Sequence, residues 1–279
     1  MNQGPDFLAL QKLLQDRAGM ALSSDKLYLV ASRLGPVAQA LGLRGVIELM
    51  KALREAPSEA MIAAVVEAMM THETLFFRDA APFEQLQRVV LPALIRARSE
   101  RKQLRIWSAA CSTGQEAYSI AMLLTEMGLP ALGWRCEIVG GDISRPIVER
   151  ARAGVFSAFE MRRGLSAERI ARHARLLDDG GYQMSAALRA MTRFLPHNIL
   201  ESAAHLGMFD ITFCRNVLIY FDGPTRERAL NAIARQTAVD GVLFLGSAEA
   251  ILSAPTRWTA ASGERGLYRL APPPARRAS

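Results

Sequence analysis

Several polar side chains in this 279-residue sequence have the types and spacing to hold a nucleotide-like ligand. Cys111-Ser112-Thr113-Gly114 is a cluster of small turn formers. It follows the apolar run Leu104 to Ala110 and precedes a stretch in which Ala117, Ile120, Ala121 and Leu124 share one helical face. Strand, tight loop and helix in that order aim backbone N–H groups and the positive end of the helix at whatever lies beyond the strand. One glycine is a weak signal, because the G-x-G-x-x-G of dinucleotide sites is missing. Asp142 ends a second apolar run, Arg135 to Gly141. A carboxylate at that strand tip can accept two hydrogen bonds from the vicinal diol of a ribose. Asp142 could instead cap the helix beginning near Ser144-Arg145-Pro146; Ser144 also suits that cap, and the two roles can coexist.

Further polar residues fall at other strand ends. Arg78, in THETLFFRD (Thr71 to Asp79), either grips a carboxylate with its planar fork or is a surface charge beside the anchoring pair Phe76-Phe77. Asn198 follows the strand Thr192 to Leu195 and suits either an adenine edge or a helix cap. Arg215 and Asn216 follow the strand Phe209 to Phe213. Tyr220 either faces the same crevice or packs the next helix, Pro224 to Val239.

The elements that must position these residues read as an α/β fold. Strands are expected at Leu104 to Ala110, Arg135 to Gly141, Thr192 to Leu195, Phe209 to Phe213 and Gly241 to Ser247, with Gly266 to Leu270 pairing antiparallel with the one before it. A helix is expected from residue 80 to 103 and another from Pro146 to Ala153. Asp178-Asp179-Gly180-Gly181 is a turn signal inside a small antiparallel excursion over residues 154–190. Residues 1–70 read as helices only, with Phe7, Leu10, Leu13 and Leu14 on one face and a second helix from Lys26 to Leu34. Basic residues such as Lys12, Arg17, Lys26 and Arg33 lie on outer faces, either simply solvated or as a docking surface. The expected organisation is a helical domain over 1–70, a linker and helix over 71–103, a ligand-binding domain over 104–271 and a disordered, proline-rich basic tail over 272–279.

Composition bounds the function. The formal charge of +7 suits an acidic partner, whether nucleic acid or an acidic protein surface. The three cysteines are far apart and the four histidines have no ligand spacing, so free thiols in a reducing cytoplasm and no metal site are expected. No apolar run is as long as a membrane span, and no signal-peptide layout is present.

The motifs THETLFFRD, SAACSTGQEAYSIAM, GGDIS, RFLPHNIL and FCRNVLIYFD, in this order and spacing, resemble the CheR-type chemoreceptor methyltransferases over nearly the whole chain. The resemblance implies a Rossmann-like class I methyltransferase sheet with an N-terminal helical domain and a small antiparallel β-subdomain. It implies methylation of glutamate side chains on cytoplasmic helices of chemotaxis receptors by S-adenosylmethionine, with S-adenosylhomocysteine as product. Carried residue by residue, Thr74 and Arg78 would meet the methionine end of the cofactor, Arg78 near its carboxylate or the incoming glutamate. Glu116 would bind the cofactor's amino-acid portion, Asp142 the ribose, and Asn198 and Ile199 the adenine. Arg215 and Asn216 would line the reaction site and Tyr220 would shape it. One departure stands out: His72 occupies the place of an asparagine in the family's T-N-x-T. The β-subdomain in some members docks a receptor's C-terminal peptide by strand addition. The implied protein is cytoplasmic and monomeric, with no nucleic acid partner and no membrane insertion. The rivals are a nucleic-acid methyltransferase, disfavoured because Arg215-Asn216-Val217-Leu218 stands where an N-P-P-Y-like turn would be, and a non-catalytic cofactor-binding signalling module.

Overall fold

The computed structural model describes residues 4–251 and 256–271. They form two compact units: a helical one up to Thr71 together with Tyr220–Arg226, and a larger one from His72 to Ile219 and from Glu227 onward. The proline-rich basic tail, 272–279, lies outside the described residues.

The helical unit contains α1 (Pro5–Ala18), α2 (Leu27–Ala40), α3 (Val46–Glu55) and α4 (Glu59–Met69). Pro5 opens α1 where a missing N–H costs nothing, and Gly19 closes it at φ 69°. The second helix outruns the expected end at Leu34 and passes through Pro36. Ala38 is buried one turn beyond Leu34 on the same face, which favours continuation over the hydrogen bond that proline cannot make. Arg33 is more than a solvated charge: it donates to the carbonyls of Met69 and Met70 at 2.6 and 3.1 Å, satisfying the C-terminal end of α4. Within this unit Ala21 N–H donates to the Tyr220 carbonyl at 2.8 Å, and Gln15 Nε2 to Thr225 Oγ1 at 2.7 Å.

The larger unit opens with a helical run, α5 (Ala80–Gln85), a π turn at Leu86–Val90 and α6 (Leu91–Ala97). Pro92 has no N–H to give, and the turn before it widens accordingly. The elements that follow are β1 (Gln103–Ser108), α7 (Gln115–Glu126), β2 (Arg135–Asp142), α8 (Arg145–Ala153), β3 (Val155–Phe156), α9 (Ala158–Arg162), α10 (Ala167–His173), β4 (Ala174–Leu176), β5 (Tyr182–Met184), α11 (Ala186–Met191), β6 (Thr192–Pro196), β7 (Phe209–Cys214), α12 (Gly223–Arg235), β8 (Thr237–Leu245), β9 (Trp258–Ala260) and β10 (Leu267–Leu270). Seven strands form one sheet in the order β6-β2-β1-β7-β8-β10-β9. The first five are mutually parallel, and β10 is antiparallel to both neighbours. The Rossmann-like expectation therefore holds, including the antiparallel partner of the fifth strand. Strand β9 was not expected; at three residues it carries almost no periodic signal. The helix after Tyr220 stops at Arg235, not Val239, because Thr237–Asp240 already belong to β8.

Strand order reverses between β1 and β7, and the crevice beyond their carboxyl ends is the preferred ligand position of such sheets. At the opposite end, buried Arg98 ties the sheet together. Its Nε donates to Asp210 at 2.7 Å and its terminal nitrogens to Asp240 at 2.9 and 2.7 Å. The expected antiparallel excursion is the small sheet β3-β5-β4. It is fixed to the THETLFFRD segment: Phe76 is fully buried and meets Phe156 edge-on at 5.0 Å, and Arg169 of α10 lies 4.0 Å above the Phe77 ring. Gly164 packs so closely on that segment that a Cβ there would sit 2.1 Å from the Phe76 carbonyl oxygen.

Two outcomes follow. Gly164→Ala must push main chain away from main chain, so it should destabilise the protein by about 1–3 kcal/mol; an unchanged melting temperature would contradict the contact. The hydrogen bonds from Arg98 hold the Asp240 carboxyl below its ordinary value. A carboxyl depressed by folding adds stability above its unfolded value, about pH 4, and that stability is lost as pH falls through the lower folded value. The acid limb of the stability profile should therefore be shallower in Asp240→Asn, modestly so because the Asp240 side chain is 51% exposed. Superimposable acid limbs by urea denaturation would remove Asp240 from the account.

Candidate active site

The loop after β1 turns at Ser112 (φ 49°) and Gly114 (φ 94°), and α7 starts immediately after it. Ser112 N–H donates to Asp142 Oδ2 at 2.9 Å, and Ser112 Oγ donates to the His72 carbonyl at 2.7 Å. One serine thus joins the tips of β1 and β2 to the THETLFFRD segment. Asp142 is 7% exposed, and its other oxygen accepts Ser144 N–H at 3.1 Å. The cap of α8 is Ser144, which accepts Ile147 N–H. The alternatives for Asp142 are thereby separated: it braces the loops on either side, while the serine caps. A carboxylate has roughly four acceptor positions, so bracing is compatible with holding a diol.

Arg215 follows β7 directly, at the carboxyl end of the strands where their order reverses. Its side chain is 2% exposed and bridges two carboxylates: Nη1 to Glu116 at 3.0 Å and Nη2 to Asp79 at 2.9 Å. Nη2 also donates to the Arg78 carbonyl at 2.7 Å, and Ser108 Oγ donates to the other Glu116 oxygen at 2.7 Å. The remaining guanidinium nitrogen, Nε, is buried with no acceptor among the described residues. Two carboxylates against one guanidinium leave a formal negative excess, which suits a cationic ligand. Burial pushes the thiols of Cys111 and Cys214 well above the ordinary cysteine value.

The remaining site residues fall as follows. Arg78 is half-buried and donates to the Glu73 carbonyl at 2.9 Å. Thr74 is half-buried on the same segment. His72 meets Ser112 through its main-chain carbonyl, a contact that does not depend on the side chain at that position. Asn198 Oδ1 accepts Leu200 N–H at 3.0 Å, closing a local turn rather than capping a helix, and Ile199 beside it is buried. Asn216 has φ 59°. Tyr220 belongs to the 220–226 segment of the helical unit. Among the described residues, five non-glycine residues have left-handed φ: Phe77, Asp79, Lys102, Ser112 and Asn216. All but Lys102 lie on the loops just described, the clustering of backbone strain that marks a functional site.

Two participants were not assigned from sequence. Asp79 stands inside THETLFFRD, but nothing local reveals that a residue so far along the chain, Arg215, needs a second counter-ion. Glu249, in the loop after β8, accepts backbone N–H groups from residues 216 to 219. An acidic residue just past a strand end was the available signal.

With this geometry in view, known proteins supply the family. The model described as CheR methyltransferase, SAM binding domain, matches residues 72–267, and that described as CheR methyltransferase, all-alpha domain, matches residues 5–70. This chain belongs to the CheR methyltransferase family. It is similar to Chemotaxis protein methyltransferase 1 of Pseudomonas aeruginosa, at 39% identity covering 95% of this chain and 97% of that one. Chemotaxis protein methyltransferase Cher2 of Pseudomonas putida is 38% identical, over 91% and 93% of the two chains. The chemotaxis protein methyltransferase of Vibrio parahaemolyticus is 36% identical, over 88% and 89%. The likeness read from the motifs is thereby shown. The family's SAM binding domain is the part matched by residues 72–267. The residues present fit S-adenosylmethionine: a strand-tip carboxylate for a diol, a negative excess for a cation and a buried unsatisfied donor on Arg215.

Removing the bridge should be costly, because both carboxylates lose their common partner. Arg215→Ala should lower folding stability by about 3 kcal/mol, measured by urea denaturation. A loss below about 1 kcal/mol, the range of exposed pairs, would show that Glu116 and Asp79 do not rely on it.

Proposed function

We propose that this chain transfers methyl groups from S-adenosylmethionine to glutamate carboxylates on cytoplasmic helices of chemotaxis receptors, releasing glutamyl methyl esters and S-adenosylhomocysteine. The observation that carries this reading is Arg215 shared between Glu116 and Asp79 at the strand-order reversal, one strand from the Asp142 carboxylate. When bound, the cofactor supplies an electrophilic methyl on a sulfonium. Asp142 accepts from the ribose hydroxyls, Glu116 from the amino-acid ammonium, and Asn198 and Ile199 border the adenine. Thr74 and Arg78 face the methionine end, with Arg78 near its carboxylate or the incoming glutamate. His72 contributes its carbonyl to the loop, and Asn216 and Tyr220 shape the reaction site.

The acceptor needs no general base, because a glutamate with an ordinary pKa of about 4.3 is already ionised at neutral pH. The work left to the protein is alignment and exclusion of water. The negative excess around Arg215 suits the sulfonium, and its three bonds to protein acceptors leave Arg215 a limited grip on the acceptor carboxylate, which preserves that group's nucleophilicity. In this reading residues 1–70 are the helical domain, 71–103 the linker and helix and 104–271 the catalytic domain, although the helical run ends at Ala97, short of the expected 103, because Gln103 already opens β1. Strands β3 and β4 are the edges of the small sheet, where an extended receptor tail would add a strand. Among the described residues no helix is long and apolar enough to cross a membrane, which is compatible with action at the cytoplasmic face of a receptor.

With tritiated cofactor and purified receptor cytoplasmic fragments, label should appear as base-labile esters that map to glutamates. Label on RNA or DNA instead, or none on any fragment, would overturn the reading. Asp142→Ala should weaken S-adenosylhomocysteine binding at least tenfold by calorimetry; unchanged affinity would refute the ribose role. Tyr220→Phe should lower turnover more than cofactor affinity, and wild-type turnover would remove Tyr220 from the site.

A further inference from the structure

Just beyond β7 the backbone of residues 216 to 219 turns sharply, and its N–H groups converge on a single side chain. Glu249 Oε1 accepts from Val217, Leu218 and Ile219 at 2.9, 2.7 and 3.3 Å. Its Oε2 accepts from Asn216 at 2.8 Å and from Gly246 at 2.7 Å. The carboxylate is inside the protein, on a residue 7% exposed, and its own N–H closes a turn onto the Gly246 carbonyl at 2.9 Å. Consecutive amides pointing inward form a concave nest with a positive interior. Here the anion that fills the nest is an intramolecular carboxylate from the loop after the adjacent strand.

The turn it fills is otherwise unfavourable. Asn216 is left-handed at φ 59°, a conformation an L-residue adopts at a cost. Gly246 must lack a side chain, since a Cβ there would stand 2.7 Å from Glu249 Oε2 and 3.0 Å from both the main-chain and side-chain nitrogens of Asn216. Immediately before Asn216 is Arg215, whose guanidinium is fixed at its far end by Glu116 and Asp79. Glu249, through the Asn216 N–H, anchors the main chain immediately after that arginine.

We propose that Glu249 is a positioning residue for methyl transfer: it sets the turn that presents Arg215 and Asn216 to the reacting groups, without touching cofactor or acceptor. The proposal rests on the methyltransferase reading above. It separates Glu249 from Asp142, whose bracing by Ser112 and Ser144 lies on the other side of β1 and does not involve residues 216 to 219. Loss of the Glu249 carboxylate therefore acts on turnover more than on cofactor binding.

The test uses the full chain with Glu249→Gln, which keeps shape but turns an NH2 toward the amides, and Glu249→Ala as a second variant. Three quantities are measured well below the melting temperature of the folded variant: hydrogen exchange of the peptide spanning 215–221, the Kd for S-adenosylhomocysteine, and kcat at saturating cofactor and receptor fragment. The proposal expects faster exchange confined to 215–221 and a fall in kcat of at least tenfold, within the range of about a hundredfold that slight misplacement costs. The change in Kd should be smaller than the change in kcat. A variant that melts lower yet keeps wild-type kcat per folded molecule overturns the proposal and makes Glu249 purely structural. So does faster exchange with unchanged kcat, or equal losses in kcat and affinity. Absence of methyl transfer by the wild-type chain itself would strike the methyltransferase reading, which calorimetry and exchange distinguish from a failure at Glu249.

Discussion

A buried guanidinium cannot stand alone, and the larger unit is arranged around the one at Arg215. Its two counter-ions come from distant parts of the chain, Asp79 from the segment before the sheet and Glu116 from the first turn of α7. Losing both partners would leave the guanidinium uncompensated, and an uncompensated buried charge costs several kcal/mol. The pairing forces the THETLFFRD segment, the loop after β1 and the tip of β7 to meet at one point. That point lies where strand order reverses, so the sheet's topology and the electrostatic demand select the same location.

Strain is concentrated where these loops meet. Phe77, Asp79, Ser112 and Asn216 all hold left-handed backbone, and each has a partner that holds it there. Phe77 N–H donates to Ser119 Oγ at 2.9 Å and Asp79 accepts from Arg215. Ser112 is held by Asp142 and the His72 carbonyl, and Asn216 by Glu249. The small sheet adds to this: Phe156, Gly164 and Arg169 all press on the segment that carries Arg78 and Asp79. An insertion that looks peripheral in sequence is therefore part of what keeps the crevice in shape.

Much of this architecture is legible in the sequence, for a physical reason. The stretches Ile106 to Ser108 and Ile138 to Gly141 are buried on both faces and read as near-continuous apolar runs, and the small residues of Cys111–Gly114 favour a tight turn. Asp142 stands out as a carboxylate ending an apolar run, where a ribose contact and a helix cap are both open from sequence; in the fold it accepts from Ser112 and Ser144. What stayed hidden is long-range. Asp79 and Glu249 are ordinary acids in their local context, and their importance lies in donors that reach them only after folding. Position 72 was legible as a departure, yet its contact to Ser112 is made by the main chain, where side-chain identity is silent. Strand β9 is too short to show a period, and α2 crosses Pro36 because burial at Ala38 outweighs a local breaker.

The central claim is that a single crevice, bounded by Asp142 on one side and by Glu116 and Arg215 on the other, receives the methyl donor. A crystal structure of this chain with S-adenosylhomocysteine tests it most directly. The account predicts the ribose hydroxyls on the Asp142 carboxylate and the amino-acid end beside Glu116 and Arg215. Density for the nucleoside at another position, with that crevice empty, would contradict it.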